Sequence, residues 1–255
     1  MRKEGHLACS TPGNVLSWFN SKVLRRSDAF VIHDPNRWYC DNFSLAFSRS
    51  DYVVKMLNLS DTMQSMRYNP FVYVQDGCGV SKLANALISG TTGIGKSGDI
   101  DFVFCETMLL NALISYIHLE APFYEQNIQV LTRVLEHMIM DDYQEGYASA
   151  VDILFAEKEK IDPLHPSVLL FDDFMDAAYD GEYVISVAES CIERLAPFNT
   201  PDMVWLMSGD DLRLDNLTDR KTALFIVDGQ ADENRKLLVP LLFSQLFDAH
   251  YGKCG

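Results

Sequence analysis

The chain has 255 residues, 48% of them hydrophobic, and a formal net charge of −15 from 36 Asp and Glu against 21 Lys and Arg. That length can bury a full core, in one large domain or two small ones. The acidic balance argues against a nucleic-acid surface made by this chain alone, since phosphate binding needs clustered Lys and Arg and the adjacent basic pairs are few and scattered, at Arg2-Lys3, Arg25-Arg26, Arg220-Lys221 and Arg235-Lys236.

The first segment with clear structural character is Ala29 to Ile32, a short apolar run of the kind buried in parallel sheets, and Tyr52 to Leu59 is a second. Trp38 to Ser50 lies between them with room for one crossover helix, so the segment reads as a βαβ unit. From Val80 to about Pro197 the pattern changes to successive helices. Met108, Leu109, Ala112, Leu113, Tyr116 and Ile117 form one apolar stripe, and Ile128, Leu131, Val134, Leu135 and Met138 form another. Val151, Leu154 and Phe155 begin a third, and Asp162-Pro163-Leu164-His165-Pro166 is a helix stop. Strand character returns at Thr222 to Val227, followed by an apolar helix from Leu237 to Phe247. Three or four strands are few for a doubly wound domain, so part of the sheet is expected to be missing.

The six cysteines, Cys9, Cys40, Cys78, Cys105, Cys191 and Cys254, stand singly with no C-x-x-C pair, which gives no support for a zinc knuckle or redox motif. No apolar run approaches the roughly 20 residues of a membrane span, and Arg2-Lys3 is not followed by the apolar stretch of a signal peptide. A cytoplasmic protein with reduced thiols is expected. His6, His33, His118, His137, His165 and His250 are scattered, with no H-E-x-x-H and no G-x-S-x-G. Glu120, Glu125 and Asp141-Asp142 read as solvated helix ends.

Gly90 to Ser97, GTTGIGKS, fits the phosphate-loop pattern G-x-x-x-x-G-K-[ST]. A working loop needs a strand leading in and a helix leading out, so that backbone N–H groups converge on the phosphates. Here Leu83, Ala84, Leu87 and Ile88 place a helix before it, and Asp99 and Asp101 bring carboxylates where phosphate would sit. The segment reads as a Gly/Thr/Ser connection between two helices, with Gly90, Gly95, Lys96 and Ser97 as the nucleotide-binding residues under the alternative of an active hydrolase. The metal-binding pattern of four apolar residues followed by Asp recurs before Asp172 and Asp228 and, broken by His33, before Asp34. Asp172 reads as a surface helix carboxylate, while Asp34 and Asp228 follow buried strands and are open to either reading.

A series of collinear blocks resembles the TraG-type coupling proteins of conjugative type IV secretion systems, in their Gram-positive mobile-element form. The blocks are Val31-Ile32-His33-Asp34-Pro35, Lys55-Met56-Leu57-Asn58-Leu59, Tyr68-Asn69-Pro70-Phe71, Leu113-Ile114-Ser115-Tyr116 with Glu120-Ala121-Pro122 and Glu125-Gln126-Asn127, Ala148 to Phe155, Arg194 to Phe198, Asp219 to Phe225, and Phe243-Ser244-Gln245-Leu246-Phe247. The resemblance implies an α/β fold, a RecA-like P-loop-type nucleotide-binding domain interrupted by an all-α domain. The expected organisation is 1–76 for the first part of the α/β domain, 77–208 for the all-α insertion and 209–255 for a return that is apparently truncated. It further implies a hexameric, ATP- and Mg-dependent motor for single-stranded DNA and its relaxase, working with secretion-channel or relaxosome proteins at the inner face of the cell membrane.

The same resemblance places the phosphate loop at Ala8 to Val15, with Ser10, Thr11, Gly13 and Asn14 as an eroded nucleotide site. Asn14 stands where the family has the phosphate lysine and Val15 where it has the Mg-binding hydroxyl. Asn36-Arg37-Trp38 stands where the resemblance has Lys-Gly-Glu and Tyr179-Asp180-Gly181 where it has a Gly-Lys-Thr turn; the resemblance also implies that the family's metal-binding aspartate is expected past Gly255 and that a membrane-spanning N-terminus is expected to be missing. The expectation is a truncated homologue without ATPase activity, needing no cofactor and binding DNA weakly or not at all. A protein-interaction module with no nucleotide is the further alternative.

Overall fold

The computed structural model describes residues 29–94, 99–139, 148–178 and 180–251. In chain order the elements are β1 (Phe30–His33), α1 (Trp38–Arg49), β2 (Val53–Asn58), α2 (Gly77–Gly90), α3 (Ile100–Glu120), α4 (Ile128–Ile139), α5 (Ala150–Ile161), α6 (Pro166–Ala177), α7 (Gly181–Leu195), α8 (Pro201–Met207), β3 (Thr222–Val227), α9 (Glu233–Lys236) and α10 (Leu238–Tyr251). They divide into two compact units, one of residues 1–68 with 208–255 and the other of residues 69–207.

The first unit is α/β. Its sheet is parallel and runs β1-β3-β2, with Val31 and Lys55 both in register with Leu224 on β3. The β1-α1-β2 segment is therefore not a pair of neighbouring strands, as the order of elements in sequence suggests, because β3 enters between them. The six residues of β3 are all buried, as expected for a strand paired on both sides and covered on both faces. On one face Phe30, Phe43, Phe47, Tyr52 and Phe225 form an aromatic core with α1, Phe47 meeting Phe225 edge-on at 5.8 Å and Tyr52 at 5.2 Å. Tyr68, buried, donates its hydroxyl to Gln245 Oε1 on α10 at 2.7 Å, and burial pushes that phenol well above its ordinary range.

The second unit is helical, and most of its helices begin on a side-chain cap. Asp76 accepts from Gly79 N, Asp99 from Asp101 N and Phe102 N, and Asp180 from Tyr183 N. Ser149 and Asp152 form a capping box, and His165 accepts from Ser167 N ahead of Pro166. α3 passes through the middle, packed by α2, α4, α6 and α7. This explains a departure from the sequence reading. Among the described residues α3 is the one helix long and apolar enough to cross a bilayer, yet its apolar residues lie all round because neighbours cover several sides. Within that apolar surface Glu106 is fully buried and accepts from Arg194 Nε of α7 at 2.8 Å. At the other end of α3, Glu120 is an exposed helix end, as the sequence suggests, and it also bridges Lys158 Nζ at 2.8 Å and His165 Nε2 at 3.1 Å.

Two outcomes are expected. Arg194→Met leaves Glu106 buried without its partner and lowers stability in denaturant by about 3–5 kcal/mol, most of which returns in Arg194→Met/Glu106→Leu; a double variant no more stable than the single one would show that the pair is not the cause. The hydrogen bond from Lys158, and then His165, hold the Glu120 carboxyl below its ordinary 4.5, so its contribution is complete above that value and is lost as the pH falls below it. Glu120→Gln should therefore lower the melting temperature at neutral pH, by the equivalent of roughly 1 kcal/mol or less, with the gap closing in melts taken through the acid range.

Candidate functional site

In an open parallel sheet, ligands bind beyond the carboxyl ends of the strands, and that edge is the candidate site of the α/β unit. β1 ends at His33-Asp34-Pro35, β2 at Asn58-Leu59-Ser60 and β3 at Asp228-Gly229-Gln230. The loops are bound to each other by backbone: Asp34 N donates to Ile226 O at 2.8 Å, Leu59 N to Val227 O at 2.8 Å and Gly229 N to Pro35 O at 3.0 Å. Gly229 has no room for a side chain, since a methyl there would lie 2.9 Å from the carbonyl carbon of Pro35 and closer still to its oxygen. Asn58 Oδ1 accepts from Ser60 N and Asp61 N, and Ser60 Oγ accepts from Gln230 N at 3.0 Å.

The two carboxylates left open by the sequence both lie here, and both are buried. Asp34 Oδ2 accepts from Cys40 N at 2.7 Å, placing its charge on the first turn of α1, where the helix dipole favours it. Asp228 Oδ1 meets His33 Nε2 at 2.9 Å. The nearby cations are engaged too: Arg37 donates to Asp41 and to Gln64, and Lys236 to Glu233. Arg37 occupies a left-handed backbone conformation, φ 60, at the position where the resemblance has glycine. A non-glycine residue there costs roughly 1 kcal/mol. Burial raises the Cys40 thiol, which keeps it out of thiolate chemistry. Among the described residues, no three His, Cys, Asp or Glu side chains converge as metal ligands.

The second sequence-predicted locus belongs to the helical unit. Gly90 is the last residue of α2, so a helix and not a strand leads into the Gly90 loop. Arg194 closes that helix, donating through Nη1 to Thr91 O at 3.0 Å and to Ile88 O at 3.5 Å. On the exit side, the Asp99 carboxylate already accepts from the first free N–H groups of α3, at Asp101 and Phe102. Those are the donors an anionic ligand would need. Gly95, Lys96 and Ser97 lie outside the described residues, as do Ser10, Thr11, Gly13, Asn14, His6 and Asp141-Asp142. Asp172 is exposed on α6. His118 is set below its ordinary range by burial, and its buried Nδ1 has no hydrogen-bond partner. His250 contacts Leu214 O at 2.7 Å.

Sequence reasoning missed Glu106 and Arg194 as a pair. The available signal was a charge on each of two apolar faces: Glu106 beside Phe102, Cys105 and Leu109, and Arg194 beside Cys191 and Leu195. A buried charge needs an opposite one, and Arg194 is one of few bases in that stretch.

The polar residues that carry the sequence resemblance serve mostly as ties between distant segments. Tyr68 bonds Gln245, Asn69 Nδ2 donates to Gln126 O, Gln126 Nε2 donates to His118 O and Ala121 O, and Arg194 bonds Glu106. Together they define a class: a parallel α/β unit interrupted by a helical insertion, with polar ties fixing each unit internally. The chain matches the family described as Type IV secretory system Conjugative DNA transfer over residues 21–253, and it belongs to that family. No curated protein matches it.

The tight approach of Gly229 to Pro35 gives a test of how rigid this edge is. Gly229→Ala should cost about 1–3 kcal/mol in equilibrium unfolding, as overpacking against backbone does. Gly77 is roomier, with nothing within 4 Å of the place a methyl would take, and Gly77→Ala should leave stability unchanged or raised.

Proposed function

We propose that this member of the conjugative DNA transfer family keeps the RecA-like fold with an inserted all-α domain and does not hydrolyse ATP. On this reading 1–76 and 209–255 form the RecA-like domain and 77–208 the insertion. The observation that carries the reading is the residue pair at the aligned phosphate loop, Asn14 and Val15, in place of the family's lysine and Mg-binding hydroxyl. Phosphoryl transfer is almost entirely electrostatics and positioning, so losing the cation and the metal ligand removes most of what the site supplies.

The second phosphate-loop match lends no rescue to the activity. α2 leads into it and Asp99 takes the N–H groups at the start of α3, both contrary to what a phosphate cradle requires. The carboxyl edge of the sheet supports the same reading, because Asp34, Asp228, Arg37 and Lys236 are each engaged by a neighbour. The role that remains is a binding or regulatory subunit for secretion-channel or relaxosome proteins, acting through the acidic helical insertion.

Calorimetric titration with MgATP tests this, with Lys96→Ala and Asn14→Lys run beside the parent. No heat of binding is expected from the parent. Binding by the parent that disappears in Lys96→Ala would overturn the reading and establish the Gly90 loop as a nucleotide site.

A further inference from the structure

The charge of this chain is not spread evenly. Residues 69–207 contain 22 Asp and Glu against 6 Lys and Arg, whereas the rest of the chain holds 14 against 15. Several of the acids are accounted for by helix caps and ion pairs, at Asp76, Asp99, Asp152, Asp180, Glu106 and Glu120. Others gather at one end of the unit. There Glu120 joins the end of α3 to Lys158 of α5 and to His165 at the start of α6, which brings three segments to one place. Their outward side chains are apolar: Leu119, Phe123, Tyr124, Ile161 and Leu164 are between 48% and 80% exposed. Glu157 and Glu159 on the last turns of α5 and Asp162 just after it are exposed as well. Of the two lysines in this region, Lys158 is held by Glu120, leaving Lys160.

Two of these apolar residues follow α3 in a single turn, Phe123–Glu125, while Ile161 ends α5 and Leu164 lies in the connection from α5 to α6. Exposed aromatic and aliphatic side chains flanked by mostly acidic ones have the composition of a protein interface, an apolar centre with a polar rim. The sign of the rim selects the occupant. Nucleic acid and anionic membrane carry the wrong charge, and a second copy would bring another strongly acidic unit against the first. We propose that this end of the helical unit is the docking surface for a basic amphipathic segment of a different protein, with apolar side chains on Phe123, Tyr124 and Leu164 and Lys or Arg facing the surrounding carboxylates. This rests on the reading of the helical insertion as the binding part of the protein, and it names the chemistry of the partner.

The experiment uses the full chain and a fluorescent Lys/Leu amphipathic helix of about 18 residues, long enough for five turns, followed by anisotropy. A Lys/Ser peptide of equal charge and a Glu/Leu peptide of equal apolarity serve as comparisons. The Lys/Leu peptide should bind, with affinity that falls as salt is raised; Phe123→Ser/Tyr124→Ser/Leu164→Ser should weaken it at least 10-fold, about 1.4 kcal/mol. Leu45→Ser/Met63→Ser, at exposed apolar positions in the other unit, should leave it unchanged. Equal binding to parent and triple variant, equal loss in the control variant, or preference for the Glu/Leu peptide would overturn the proposal. So would a concentration-dependent dimer in sedimentation that the triple variant abolishes, since the occupant would then be a second copy. MgATP titration of the same proteins reads the function separately, so a failed surface with no nucleotide binding is distinguishable from a failed reading of the whole chain.

Discussion

Thr222–Val227 hydrogen-bonds to Phe30–His33 on one side and to Val53–Asn58 on the other, and those two strands have no register with each other. The α/β unit therefore waits on a strand that arrives more than 160 residues after β2 begins. Everything at its carboxyl edge follows from that arrival. Gly229 closes on Pro35, Asp228 meets His33, and Gln230 reaches Ser60 only once β3 is in place. Until then β1 and α1 have no Phe225 to close their aromatic core.

The helical unit solves a different problem. It is strongly acidic and still has a continuous apolar core, which it manages by placing carboxylates where helices need them. Asp76, Asp99 and Asp180 cap helix N-termini, each satisfying orphan N–H groups and meeting the positive end of the dipole. Glu106 is the exception that had to be neutralised, and Arg194 does so while also covering the last carbonyls of α2. One guanidinium thus joins α2, α3 and α7. The same placement that stabilises the start of α3 engages the N–H groups of Asp101 and Phe102, which would otherwise be open to an anion.

Much of the architecture was legible in the sequence, for reasons that are local. Thr222–Val227 announces itself because a parallel strand buried along its whole length becomes an apolar run, Phe30–His33 and Val53–Asn58 are shorter or interrupted apolar runs of the same kind, and α2 is evident from Leu83, Ala84 and Leu87 at helical spacing. Lateral strand order was not legible, since nothing in a run of six residues says which neighbour it will have. Nor was the full extent of α3, where an apolar stripe at Met108 to Ile117 conceals a helix that is apolar on most sides. At the candidate site, the interest of Asp34 and Asp228 could be seen but not their duties, because His33 and Asp228 are 195 positions apart and Arg194 and Glu106 are 88 apart. Partners at such separations leave no local pattern.

Arg67 and Asp211 hold each other by two parallel side-chain bonds, at 2.8 and 2.9 Å, and by a backbone bond from Asp211 N to Arg67 O. They stand at the points where the chain leaves the α/β unit and returns to it. The excursion is thus pinched at its neck. Closing a loop of that length costs only a few kcal/mol of chain entropy, since the cost grows with the logarithm of length, and a neck already clasped makes the intervening residues modular. Evolution can lengthen, recharge or resurface the excursion without moving the sheet, and a protein engineer could excise it, join the neck with a short turn, and ask the two pieces to fold apart.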